Sequence, residues 1–178
     1  MAQMAKTAEM MESKEDRLHQ WLRDAHAMEE QALTMLNAQA QRLEHYPELR
    51  NRIEKHIQET ESQERRLREL LEQNGGGTSA MKDAMGKMTA MMQGMSGMFA
   101  GDEVVKGAMA GYVFEHLEIA SYRALAAAAA AAGDTRTEQL CESILEEEEN
   151  MARWLDEHMP QIVETFLERE ARDMTAKR

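Results

Sequence analysis

Along four stretches of this chain, apolar residues return every three or four positions, and each stripe is broken near its middle by glutamate. The first runs Leu18, Leu22, Ala25, Glu29, Ala32, Leu36, with Leu43 further on. The second runs Leu49, Ile53, His56, Thr60, Gln63, Leu67, Leu70, with Glu59 at its edge. The third runs Val104, Ala108, Gly111, Glu115, Glu118, Tyr122, Leu125, and the fourth Leu140, Ile144, Glu147, Met151, Trp154, His158. Such steps trace one buried face of an α-helix. The rest of the chain agrees. Ala, Glu, Met, Leu, Gln and Arg dominate, prolines occur only at Pro47 and Pro160, and aromatic residues make up 4%. Little here favours a sheet, so the fold class is all-α.

Punctuation divides the helices. Residues 1–13 lack a clear period and are expected to form a flexible N-terminus, followed by a single helical domain over 14–178. Bundle helices are predicted at about 14–46, 47–73, 102–132 and 135–158. Pro47 suits the first turn of the second helix. Asn74-Gly75-Gly76-Gly77 ends it, Asp102 can cap the third, and Gly133-Asp134-Thr135 is a short turn. A methionine-rich crossover helix is expected over 78–99, and Pro160 is expected to open a C-terminal helix over 160–174. Two helical hairpins joined by a long crossover is the wiring of a ferritin-like four-helix bundle.

The formal net charge of −12 opposes binding to nucleic-acid phosphates or anionic membranes. No apolar run is long enough to span a bilayer, and the N-terminus lacks the apolar centre of a signal peptide. Cys141, the one cysteine, cannot form an internal disulfide and suits a reducing compartment. These features predict a cytoplasmic protein.

A lone buried carboxylate is costly, so glutamates inside four core stripes need a compensating charge. Glu29 and Glu59 lie 30 residues apart, and Glu118 and Glu147 lie 29 apart. Each interval spans one hairpin. Turns at matching heights would bring the four glutamates to one level, where two divalent iron or manganese ions would balance them. The other reading of the spacing is coincidence, given 33 acidic residues. His56 lies one turn before Glu59, and Glu115 one turn before Glu118. His26 precedes Glu29 by three and suits a solvent-facing position equally well. Glu148 borders the same stripe as Glu147 and can replace it. Tyr122, one turn past Glu118, can hydrogen-bond at such a site.

Several segments resemble the YciE/YciF-type ferritin-like proteins. His56-Ile57-Gln58-Glu59-Thr60-Glu61-Ser62-Gln63-Glu64-Arg65-Arg66-Leu67 looks like that family's second-helix signature. Glu115-His116-Leu117-Glu118-Ile119-Ala120-Ser121-Tyr122 looks like its third. Met28-Glu29-Glu30-Gln31-Ala32-Leu33 and Leu145-Glu146-Glu147-Glu148-Glu149 resemble its first and fourth, in the same order. The resemblance implies a ferritin-like bundle, often a homodimer, with a dinuclear metal site and a link to bacterial stress responses. The ligands it implies are Glu29, Glu59, Glu118 and Glu147, with His56 and Glu115 as supplementary ligands. One departure concerns the Glu-x-x-His pattern: Ser62 and Asn150 stand three residues after Glu59 and Glu147, and His56 precedes its glutamate instead.

A redox-active site of this kind would carry oxidase or peroxidase-type chemistry. The alternative is a metal-free stress or interaction protein on the same scaffold. Met81, Met85, Met88, Met92 and Met95 also repeat at helical steps. They read as an apolar packing stripe or, alternatively, as thioether ligands for copper(I).

Overall fold

A computed structural model describes residues 2–73 and 101–172; the methionine-rich stretch 78–99 and the chain beyond Arg172 lie outside the described residues. Among the described residues there are four helices: α1 (Ala2–Ala40), α2 (Pro47–Gln73), α3 (Glu103–Ala132) and α4 (Thr135–Ala171). The architecture is a ferritin-like four-helix bundle, as the stripes predict.

Three boundaries differ from the sequence reading. Helix α1 begins at Ala2 and not near residue 14, because the segment before Ser13 holds no Gly or Pro and is rich in helix formers. It ends at Ala40 and not near Tyr46. The chain then tightens, with Arg42 N donating to Gln39 O at 3.0 Å, and the turn tucks Leu43 and Tyr46 into the core. Pro160 does not open a new helix. α4 runs through it to Ala171, because Ile162 and Phe166 beyond the proline are buried and hold the helix in register.

Contacts at the helix ends fix the directions. Arg42, just past α1, grips Glu103 at the start of α3 through Nε–Oε1 (2.6 Å) and Nη2–Oε2 (2.5 Å). Lys14 Nζ donates to Ala131 O at the end of α3 (3.1 Å). α1 and α3 are therefore antiparallel. Arg136 near the start of α4 reaches Gln73 at the end of α2, and Gln161 reaches Glu48 (3.2 Å), so α2 and α4 are antiparallel too. With each hairpin antiparallel, α2 and α3 run parallel, which requires the long connection between them.

Between α3 and α4 the turn is specified locally. Gly133 adopts φ 78°, a left-handed conformation suited to glycine, and closes α3. The Asp134 carboxylate then accepts from Thr137 N (3.0 Å) and caps α4. Small residues, Ala129 and Ala132, are buried next to this turn and let the helices approach closely.

The stripes of α1 and α2 are buried as read, from Leu18 to Leu36 and from Leu49 to Leu70. The α4 stripe keeps Ile144 and Met151 but moves on by one residue at Cys141, Glu148 and Leu155. Cys141, Ile144, Glu148, Met151 and Leu155 are buried, whereas Leu140, Trp154 and His158 are half-buried. Ile144→Ala should therefore lower stability by about 2–5 kcal/mol, and Leu140→Ala by less than half of that, as read by urea denaturation.

Candidate metal centre

Three helices send glutamate toward one level of the core, and the fourth, α2, sends histidine. Glu29 from α1, Glu115 and Glu118 from α3, and Glu148 from α4 are each at most 2% exposed. They surround His56 of α2, itself 1% exposed. One ligand atom from each of His56, Glu115, Glu118 and Glu148 lies within 4.8 Å of the others.

His56 is held from behind. Its Nδ1 lies 3.0 Å from Glu59 Oε2, and Thr60 Oγ1 donates to the His56 carbonyl at 2.9 Å. Glu59 is half-buried and also meets Arg52 (3.1 Å) and Lys55 (3.2 Å). Burial tends to raise its pKa, but the His56 hydrogen bond and the Arg52 charge outweigh this and hold it down at about 2. An ionised Glu59 can only accept, so Nδ1 carries the proton and Nε2 is the nitrogen turned to the cluster. Nε2 sits 3.2 Å from Glu115 Oε2 and 3.4 Å from Glu148 Oε2.

Other contacts within the core are few. Tyr122 donates its hydroxyl to Glu29 Oε1, and Gln63 Nε2 donates to Glu148 Oε1. Glu29 Oε2, Gln63 Oε1, Glu115 Oε2, Glu118 Oε1 and Glu148 Oε2 are buried with no hydrogen-bond partner among the described residues. Orphaned buried acceptors in such number are unusual and call for a partner. Three carboxylates and an imidazole within reach of one another are a hard donor set, which can hold a metal ion.

Without a cation the acids respond by holding protons. Burial, then the charge of Glu148, pushes Glu29 well up; burial, then Glu148 and Glu29, does the same to Glu118. Glu148 is raised from 4.5 to about 7, mainly by burial, with His56 partly opposing. Burial pulls His56 down, but the Glu115 charge and its other acidic neighbours outweigh this and raise it well above 6.5. Tyr122 is raised by burial and by Glu29.

The sequence-predicted residues divide into two groups. Glu29, His56, Glu115 and Glu118 come together in the buried cluster. Glu59 and Glu147 stand outside it. Glu147 has 30% of its side chain exposed and accepts from Arg66 Nη2 (2.7 Å) and Gln63 Nε2 (2.8 Å). Glu148 takes the inward position, because it follows Ile144 by four and precedes Met151 by three, the steps of the true core stripe. Gln63 also belongs to the site, and its signal in the sequence is a polar residue inside an otherwise core stripe. His26 is 1% exposed and thus faces inward and not solvent. Cys141 is buried with its thiol pushed up to about 12, so it packs as an apolar group.

Fold and site together define a ferritin-like bundle with a carboxylate–histidine cluster at its core. Residues 13–168 match the family described as "Domain of unknown function (DUF892)", and the chain belongs to that family. A solved protein from Xanthomonas campestris pv. campestris is 46% identical, with a TM-score of 0.75 over 89% of this chain and 99% of its own. The Escherichia coli stress protein YciF has the same fold at 23% identity, with a TM-score of 0.64 over 82% of this chain and 94% of its own. YcfI of Rhodopseudomonas palustris does so at 24% identity, with a TM-score of 0.64 over 80% and 92%. Among the described residues no helix is long and apolar enough to cross a membrane.

A stability consequence follows for the metal-free protein. Below about pH 4.5 the Glu148 carboxyl is protonated in both folded and unfolded chains. Above it the unfolded chain ionises, while folded Glu148 keeps its proton up to about pH 7. The folded state then holds the extra proton, so stability falls as pH rises through this window, by roughly 3 kcal/mol from this group. Glu29 and Glu118 act in the same direction. Denaturation midpoints of chelator-treated protein between pH 4.5 and 7.5 should fall; a rise would contradict the assignment.

Proposed function

We propose that this chain is a metal-binding ferritin-like protein whose core holds two iron or manganese ions and protects the cell under oxidative or related stress. The observation that carries this reading is the set of orphaned carboxylate oxygens converging on His56. The residues that would hold the ions are Glu29, Glu115, Glu118, Glu148 and His56. Four carboxylates and one imidazole match two divalent cations in charge, and hard oxygen with borderline nitrogen donors suits iron and manganese. A bound pair would supply one- or two-electron exchange with oxygen or peroxide.

The chain's own groups would prepare that site. Glu59 fixes the imidazole so that Nε2 points inward, the role that outer carboxylates play for metal-ligating histidines. Tyr122 holds Glu29 in place, and Gln63 holds Glu148. Glu148, with a pKa of about 7 before metal arrives, can release its proton as a cation enters. Glu147 and Arg66 close the rim beside it. The stress role draws on the name of the Escherichia coli relative, a stress protein of the same fold.

A second reading keeps the fold without functional metal. The Tyr122 and Gln63 hydrogen bonds and the raised carboxyl pKa values favour it, because protonated acids need no cation.

Elemental analysis of protein purified without chelator separates the two. About two iron or manganese ions per chain are expected. Glu148→Gln and Glu118→Gln should lose them, Glu147→Gln should retain them, and Glu59→Gln should weaken binding by about 10–100-fold. No stoichiometric metal, even after anaerobic iron loading, would leave the metal-free reading.

A further inference from the structure

The seam between α2 and α4 runs beside the core cluster and is bridged by polar side chains. Gln63 of α2 lies across it. Its Nε2 donates to Glu148 Oε1, on an inward acid, and to Glu147 Oε2, on an outer one, the latter at 2.8 Å. One amide nitrogen therefore joins a carboxylate that is 30% exposed to one that is fully buried. Glu147 Oε2 is also held by Arg66 Nη2 at 2.7 Å.

Two observations mark this seam as a way in. The first is an unpaired oxygen. Gln63 is fully buried, and its Oε1 has no hydrogen-bond partner among the described residues. A half-turn of the amide puts that oxygen at the two carboxylates, where the NH2 group now sits, and breaks no bond that Oε1 makes. Oxygens from Glu147, Gln63 and Glu148 then stand in succession from rim to core, a hard donor set suited to divalent iron, manganese or cobalt. The second is a weakly held cap. Arg66 is 27% exposed, and its other contacts, with Ser143 Oγ and the Ser62 carbonyl, are both long at 3.3 Å. A partly exposed ion pair is weak, so the guanidinium can leave Glu147 for water.

The other partly exposed acid beside the cluster offers no such path. Glu59 is held by Arg52 and Lys55 and faces His56 Nδ1. The imidazole ring itself stands between Glu59 and the acids that face Nε2.

We propose that Glu147 and Gln63 form a transit site through which divalent cations pass to the core, with Arg66 as its removable plug. This rests on the reading of the core cluster as a metal site. Glu147 takes up the hydrated cation as Arg66 withdraws, and Gln63 passes it to Glu148 by turning its amide. Arg66 then returns, so the transit site holds no ion at rest.

The test uses the untagged full-length chain, stripped with chelator and mixed with cobalt(II). Uptake is timed by quenching with EDTA and counting the cobalt kept by the protein. Release is timed by adding EDTA to the loaded protein. Glu147→Gln should reach the wild-type cobalt content but load at least about tenfold more slowly. It should also release cobalt more slowly by the same factor, because a transit ligand lowers the barrier from both sides and leaves the end states alone. Arg66→Gln should speed both rates several-fold. Both positions are partly exposed, so both variants should fold.

Unchanged rates in Glu147→Gln would overturn the transit site. Slower uptake with unchanged release would do so too, since Glu147 would then attract cations without ligating them. Lower thermal stability of Arg66→Gln with unchanged rates would make the Arg66–Glu147 pair a structural clamp and remove the plug. In all three cases the wild type still binds cobalt. A wild type that binds none refutes the core reading itself, and the transit site falls with it.

Discussion

Everything at the centre of this bundle depends on carboxylates being taken out of water faster than the chain supplies donors for them. Glu29, Glu115, Glu118 and Glu148 share a core in which, among the described residues, Tyr122 donates to Glu29 and Gln63 to Glu148, with His56 Nε2 3.2 Å from Glu115. In a low-dielectric interior, like charges this close repel strongly, and each unpaired oxygen carries its own desolvation cost. Two solutions are chemically open: protons on the acids, or a cation between them. The raised values of Glu29, Glu118 and Glu148 express the first; the Glu148 proton, held up to about pH 7, is one that a metal can displace.

The scaffold around the cluster works to keep it in one arrangement. Tyr122, Ile144, Leu67 and Leu22 are fully buried, so the helices at this level have little room to shift. The side chains behind the cluster are ionic rather than apolar. Arg52 and Lys55 hold Glu59, which holds His56, and Arg66 holds Glu147 beside Glu148. These outer pairs are partly exposed and add little to stability by themselves. Their value is directional: an ionised Glu59 decides which imidazole nitrogen faces the acids. Glu59, part of the sequence-predicted ligand set, thus stands behind His56 and not among the inward-facing acids.

Much of this was legible in the sequence, and the failures have physical causes. The stripes of α1 and α2 could be read residue by residue, because each position alternates clearly between apolar and charged. The 30- and 29-residue spacings put Glu29, Glu59, Glu118 and Glu147 at one level; Glu29 and Glu118 meet in the core, with Glu115 one turn before Glu118, whereas Glu59 and Glu147 stand at its edge. Four consecutive glutamates, Glu146 to Glu149, offer no such contrast in α4, and each residue turns the helix by 100°, so the inward acid was off by one. Pro160 carries a real local signal against helix continuation, but burial of Ile162 and Phe166 overrides it. His26 looked equally suited to solvent because its partner Glu64 is remote in sequence, 38 residues on in the next helix.

Acidic residues are so abundant in this chain that number alone says nothing about function. Burial separates those that matter from those that solubilise. Most surface glutamates either face water or pair with a nearby Arg or Lys, as Glu54 does with Arg50 and Glu149 with Arg123. Near the middle of the bundle the rule is broken at two depths. The core cluster is closed and rich in oxygen acceptors, whereas His26, Glu30 and Glu64 form a shallower group in which Glu30 is partly exposed and Arg68 pairs with Glu64. Helix α1 contributes to both, with Glu29 turned toward the core from between His26 and Glu30. Helix α2 does likewise through His56 and Glu64. The same hairpin that brings the first carboxylate to the core therefore also creates the outer group, and the geometry of one constrains the other: a change in α1–α2 register would move both sets of oxygens at once.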